Sequence, residues 1–445
     1  MFRRILGGIG ANIYGQAVLV VVQLSAVPVL ATYWGAQTYG IWLMLFTVPS
    51  YLTLADFGFA TAAANDMTKS VARGNCAETL ETFQSVRIAV MVIGIAIFLV
   101  CALAISFLPE HFLAGVDAVT HGHAHVTILL LVAYGLFSLQ NNVALAGFRS
   151  VGLYALGTTI LMTIFLAENM AALLVVALGG DVLAAAMTYF SVRAVGNFVF
   201  NVSLRLKARW LSVMAWPRSL GPIRKIMAPA AAVMALPIAQ ATFLQGTVLM
   251  VGAAAGAQAV PTFTTVRTLT RVAIQLTAVV NHALMPEFTV THTSEQQHIL
   301  TLINLVTSAA VLAPILIVTL LFGPSIIALW THGVIHPPYA LIVIMSAVMV
   351  AHVAWQPISV FIVAINEHAR YSYIYLIAAL ACMALAYPLT RLWGTPGAAL
   401  SLLLLDSLMV LRVSYLAHRL RILDPAGLRR AAKSLWAKRL VVHLR

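Results

Sequence analysis

Long apolar runs recur along this chain, and each approaches the roughly 20 residues that cross the hydrocarbon core of a bilayer. Breaks at polar and turn-rich points give about twelve such runs, at 9–33, 40–63, 86–107, 126–147, 154–178, 182–203, 227–252, 260–285, 299–322, 339–363, 371–391 and 396–417. A backbone in lipid must bond its own polar groups, so each run predicts a helix. With 62% hydrophobic and 9% charged residues over a length of 445, a soluble composition is excluded. The fold class expected is all-α, a polytopic membrane protein of about twelve transmembrane helices. The first run is longer than the roughly 7–15 apolar residues of a signal peptide and predicts a retained helix.

Lysine and arginine near span ends prefer the cytoplasm. All but five of the 26 lie at the chain ends or on one set of alternate connections. Only Arg391 falls on the opposite set, while Arg193, Arg267, Arg271 and Arg412 lie within runs. Both termini are expected to be cytoplasmic. The net charge of +13 then describes a cytoplasmic surface and not a nucleic-acid site.

The connection at 204–226 is rich in cations, carries Pro217 and Pro222, and divides six runs from six. The expected organisation is an N-lobe at 1–222, including the linker, and a C-lobe at 223–417. A basic amphipathic tail follows at 418–445. Gly35-Ala36-Gln37 follows the first run and Gly256-Ala257-Gln258 the seventh, a trace of repetition between halves of parallel topology. Asp424-Pro425 can start a helix on which Leu428, Ala432, Leu435 and Val442 recur among basic residues, suited to the anionic inner leaflet. A frayed tail that only enforces topology is the plainer alternative.

Polar residues recur at helical spacing within the runs. Asn12, Gln16 and Gln23 share a face of the first, Arg193, Asn197 and Asn201 of the sixth, and Arg267, Arg271 and Gln275 of the eighth. For the amides, interhelical hydrogen bonding competes with substrate contact. Two guanidinium groups one turn apart repel unless an anion or acid lies between them, and their forks bind phosphate oxygens in pairs. Glu168 lies at a depth matching Arg193, so those two can form a structural pair. Asp406 can similarly neutralise Arg267 or Arg271. Asp56, toward the cytoplasmic end of the second run, is a candidate for proton coupling or gating. Pro28, Pro49, Pro229, Pro237 and Pro357 interrupt backbone bonding within runs and permit bends.

Cys76, Cys101 and Cys382 show neither a disulfide framework nor metal-ligand spacing. His121, His123 and His125 would bring three imidazoles to one side if extended, but lack a cage of further ligands. No metal site and no cofactor is expected. Phosphate-binding glycine loops, nucleophile elbows and zinc-protease helices are absent, so the chain does not read as an enzyme.

Several stretches together resemble a known family: Asn12 to Gly15, Trp34-Gly35-Ala36-Gln37-Thr38-Tyr39-Gly40-Ile41-Trp42, and Leu54-Ala55-Asp56-Phe57-Gly58 with Asn65 and Arg73-Gly74. Leu284-Met285-Pro286, Phe322-Gly323-Pro324 and Ile327-Ala328-Leu329-Trp330 extend the likeness over most of the chain. It resembles the polysaccharide transporters, or O-antigen (oligosaccharide-lipid) flippases, of the MOP exporter superfamily. The resemblance implies a MATE-like bundle of two six-helix lobes around a central cationic cavity. Such a protein would move an undecaprenyl-pyrophosphate-linked glycan to the periplasmic leaflet of a bacterial inner membrane by alternating access. Arg267, Arg271 and Arg193 would hold the pyrophosphate, and Gln275, Asn197, Asn12 and Gln16 would meet sugar hydroxyls. Asp56, Glu168 and Asp406 would serve coupling or gating, with drive from glycan consumption or from a proton or sodium gradient.

Two other readings compete. A MATE-type multidrug or cation antiporter would share the fold, but an arginine-lined cavity repels cations. A membrane glycan polymerase or glycosyltransferase would handle the same lipid, but the longest outer connection, at 108–125, is short and holds only Glu110 and Asp117 as acids. A major-facilitator carrier lacks its signature here, since Asp66 to Gly74 does not match it.

Overall fold

The computed structural model describes residues 2–53, 58–107, 110–211, 221–290, 293–364, 367, 369–420, 422–424, 426–427, 429–431 and 433. Fourteen helices account for nearly all of them, and no strand occurs among the described residues. Contacts divide the chain into two compact units, Met1–Leu249 and Met250–Arg445.

The first unit holds α1 (Phe2–Leu45), α2 (Thr47–Leu52), α3 (Phe59–Ala72), α4 (Cys76–Ser106), α5 (Glu110–Thr120), α6 (Ala124–Ser150), α7 (Tyr154–Ala177) and α8 (Val182–Lys207). It also takes most of α9 (Gly221–Ala255). The second unit holds α10 (Ala259–Val290), α11 (Ser294–Trp330), α12 (Tyr339–Ala364), α13 (Ala369–Trp393) and α14 (Thr395–Arg419). Ten helical stretches among the described residues are long and apolar enough to cross a membrane. The longest, Gly7–Leu52, covers the first expected run and the start of the second. α10 lies over the eighth run but is not among the ten, because Arg267, Arg271 and threonines such as Thr264, Thr265, Thr268 and Thr270 lower its hydropathy.

The single span expected at 40–63 is not one helix. α1 ends at Leu45, α2 starts after Phe46, and α3 starts at Phe59. Pro49 accounts for the first of these breaks: it has no N–H to give the Leu45 carbonyl one turn earlier, the point where α1 ends. α3 then continues as a helix where a connection was expected, burying Phe59, Ala60, Ala63 and Met67 against α4 and α6. The outer connection at 108–125 likewise contains a helix, α5, and α11 outruns its expected span by a turn or more at each end.

The repeated Gly-Ala-Gln triplets have a common backbone signature. Gly35 breaks α1 with φ 67° and ψ 176°, and Gly256, between α9 and α10, has φ 84°. Side chains rarely adopt such angles, which is why glycine stands at both turns. A Cβ would meet nothing within 4 Å at either, so the requirement is conformational and not steric.

Close packing in the first unit centres on α6, which touches α2, α3, α4, α7 and α8. Phe148 stacks on Phe200 at 4.9 Å, and Phe83, Met67, Leu139 and Leu204 complete a closed core. α7 and α8 approach so closely at Gly196 that a Cβ there would lie 2.4 Å from Ile164 Cγ2. Small residues let membrane helices meet backbone to backbone. In the second unit α12 packs on α10, α11 and α14, and α13 on α14.

Candidate functional site

The α7–α8 approach places Glu168 beside Arg193. Both are buried, Arg193 at 5% exposure, and the guanidinium Nη2 pairs with Glu168 Oε1. Tyr134 of α6 joins them: its hydroxyl donates to Glu168 Oε1 at 2.8 Å and accepts from Arg193 Nη2 at 2.9 Å. The guanidinium also lies over the Tyr134 ring, 4.8 Å from its centroid. One turn before Arg193, Tyr189 donates to Asn169 Oδ1 at 2.8 Å and packs edge-on to Tyr134. A buried charge is tolerated when paired and hydrogen-bonded, and this network supplies both conditions.

A second network runs down the same face of α8. Arg87 Nη1 donates to Asn201 Oδ1 at 2.8 Å, Asn201 Nδ2 to Asn197 Oδ1 at 3.0 Å, and Asn197 Nδ2 to Asn141 Oδ1 at 2.9 Å. Arginine only donates, so Arg87 fixes the sense of every amide along the ladder. Above these groups lies a cavity of about 430 Å³, walled by Phe46, Tyr134, Asn141, Phe165, Arg193 and Gln245 among others, all in the first unit.

The other residues singled out in sequence sit as follows. On α1, Asn12 and Gln16 are exposed, and Asn12 Oδ1 accepts from Tyr154 at 3.1 Å. Gln23 is half-buried. Asp56 lies outside the described residues. On α10, Arg267 is 9% exposed and lies over the Phe263 ring at 5.3 Å, while Arg271, one turn on, is exposed and Gln275 is half-buried.

Asp406 takes other partners than the arginines expected for it: Oδ1 accepts from Trp355 Nε1 at 2.8 Å and meets His352 Nδ1 at 2.9 Å. α14 faces α12 along its length, and that packing brings the carboxylate to the imidazole and indole. His121, His123 and His125 do not form one extended segment. His121 and Gly122 turn the chain with φ of 50° and 82°, and His125 belongs to α6.

Sequence reading missed Tyr134, Asn141, Tyr189, His352 and Trp355. Tyr134, Ser138 and Asn141 recur at helical spacing in the fourth run, a signal as strong as the stripes that were noted.

No protein-family model matches the chain, and no curated protein matches its sequence. Solved structures match its fold along nearly the whole length. A multidrug resistance MATE family transporter of the MOP superfamily, inward-facing, has a TM-score of 0.71 at 15% identity over 92% of this chain and 96% of that one. The lipid II flippase MurJ, in an inward closed conformation, has a TM-score of 0.67 at 13% identity over 99% and 92%. An outward-facing MATE family transporter of the same superfamily has a TM-score of 0.56 at 17% identity over 92% and 95%. The chain is thus a polytopic membrane protein with the fold of the MOP superfamily transporters.

Proposed function

We propose that this protein is a flippase that moves an undecaprenyl-pyrophosphate-linked oligosaccharide from the cytoplasmic to the periplasmic leaflet of a bacterial inner membrane. The glycan would feed surface polysaccharide synthesis. The observation that carries this reading is the α10 face, where Arg267 and Arg271 stand one turn apart with Gln275 beyond them. Arg193 is neutralised by Glu168, and Asp406 is engaged by His352 and Trp355. Two guanidinium groups a turn apart on one helix face are the cationic feature best suited to a pyrophosphate, whose oxygens they can bind in pairs. Neutral amides and hydroxyls elsewhere suit sugar hydroxyls, and the polyprenyl chain needs only lipid.

Likeness in fold to a multidrug transporter and to a lipid II flippase is compatible with two cargo classes. Charge favours the anionic one, since guanidinium groups repel organic cations. Transport requires that the cargo bind the two facing states with different affinity. The test is expression in cells lacking their own surface-polysaccharide flippase, with drug susceptibility scored in parallel. Restored surface glycan without drug resistance is expected. Drug resistance without glycan export would assign the protein to cation efflux.

A further inference from the structure

The fold of the second unit continues past α14. Leu420 N–H donates to the Leu416 carbonyl, Ile422 N–H to that of Ala417, and Ile422 is buried. Asp424 then accepts from the Ala426 N–H at 3.3 Å and from the Gly427 N–H at 2.9 Å, as a helix cap does. The described residues from 426 to 433 are helical. Among them Gly427 and Ala431, one turn apart, are buried, whereas Ala426, Arg429, Arg430 and Lys433 are exposed. At helical spacing these two sets fall on different sides. Leu428, Ala432, Leu435 and Val442, expected as the apolar face, lie outside the described residues.

The buried side rests on α11. A Cβ at Gly427 would come within 2.6 Å of His298 Nδ1 and 2.8 Å of Nε2, so the imidazole lies against bare backbone. His298 is itself 7% exposed, which makes this a packed contact. Depth follows from length: the apolar stretch Glu295–Trp330 has 36 residues and rises about 54 Å, against a hydrocarbon core of about 30 Å. Its first residues, Glu295-Gln296-Gln297-His298, are polar, so this end belongs among the headgroups. The α14 span ends at Arg419, and the contact with His298 brings the following residues to the same level.

The outer side at that level carries one sign of charge. Arg419, Arg429, Arg430 and Lys433 are all exposed. Of the neighbouring acids, Asp424 is occupied by the two N–H groups it caps, and Glu295 stands in the first turn of α11, where it meets the helix dipole. Each lysine or arginine near an anionic bilayer strengthens its attachment about fivefold. An acidic protein would have to enter the headgroup layer to meet the same groups.

We propose that the segment from Leu420 to Lys433 is a strap that docks on α11 through Gly427 and binds anionic phospholipid headgroups through Arg419, Arg429, Arg430 and Lys433. The attachment is independent of what the protein carries. It ties the ends of α11 and α14 to the membrane surface.

The test uses the full-length protein in nanodiscs of phosphatidylcholine, alone or with about one third phosphatidylglycerol. Limited trypsin digestion compares cutting after Arg429 and Arg430 with cutting after Arg73, an exposed reference in the first unit, within one sample. Phosphatidylglycerol is expected to slow the strap cuts about tenfold relative to the reference. Arg419→Gln/Lys433→Gln should restore most of that rate, and so should molar salt, which screens the attraction. Gly427→Leu, which forces the strap off His298, should raise the rate in both membranes; if that variant does not fold, His298→Ala makes the same comparison. Equal relative rates in the two membranes overturn the proposal, whether both are fast, as for a free tail, or both slow, as for a face covered by protein. Full slowing by phosphatidylglycerol in Arg419→Gln/Lys433→Gln overturns the charge contact. Loosened variants cut no faster than wild type overturn the dock on α11.

Discussion

Arg193 of α8 and Glu168 of α7 form a buried ion pair, and the Tyr134 hydroxyl of α6 is bonded to both. Three helices are thereby tied at one point in the first unit. The same pair meets the Arg193 charge inside the protein.

Breaking that pair from one side strands a charge. Arg193→Ala and Glu168→Ala are each expected to destabilise the protein by about 3–5 kcal/mol. The double variant Glu168→Leu/Arg193→Met should melt closer to wild type than either single one, because replacing both charges removes the desolvation penalty. Thermal melts of the purified protein in detergent provide the comparison. Equal loss in the double and single variants would mean that the charges do more than neutralise each other.

Gly196→Ala drives a methyl group into Ile164 at the point where α7 meets α8. Overpacking of this kind costs about 1–3 kcal/mol. Separating these helices should also loosen the Glu168–Arg193 contact. The expected sign is a lowered melting temperature, partly recovered by Ile164→Val, which shortens the opposing side chain. A Gly196→Ala protein as stable as wild type would contradict the close approach.

Asp406 satisfies Trp355 and His352 across α12 and α14. Asp406→Ala should leave the indole N–H without an acceptor, at about 1–3 kcal/mol. Affinity for inorganic pyrophosphate should stay at the wild-type value, because the carboxylate's partners are not the α10 arginines. A large change in that affinity on Asp406→Asn would show that the acid does serve the arginine face.

Much of the fold was legible because lipid imposes a strict rule on the backbone. Apolar runs of about 20 residues must be helices, and their spacing gives the all-α polytopic class directly. What that rule does not cover was misread. The run at 40–63 is apolar throughout, yet Pro49 and the turn before α3 divide it. α3 and α5 are helices in stretches taken for connections, since amphipathic segments carry no long apolar signal.

At the site, helical spacing picked out Arg193 with Asn197, and matching depth offered Glu168 as a pairing partner. Partners on other helices were out of reach, because register between helices depends on contacts such as Gly196 against Ile164. Asp406 illustrates the same limit: its depth suggested an arginine, and packing of α12 on α14 delivered a histidine and a tryptophan. Gly35 and Gly256 are a gain from structure, a three-residue echo in sequence whose glycines both have positive φ.

The central claim is that the α10 arginines hold an anionic headgroup during translocation. Its most direct test is the rate at which lipid-linked oligosaccharide crosses proteoliposome membranes carrying wild type, Arg271→Lys or Arg271→Ala at equal reconstitution. Losing charge-assisted bonds worth about 1.5–3 kcal/mol each should cut the alanine variant's rate about a hundredfold, with the lysine variant intermediate. A well-incorporated Arg271→Ala protein that flips its cargo at the wild-type rate would contradict the account.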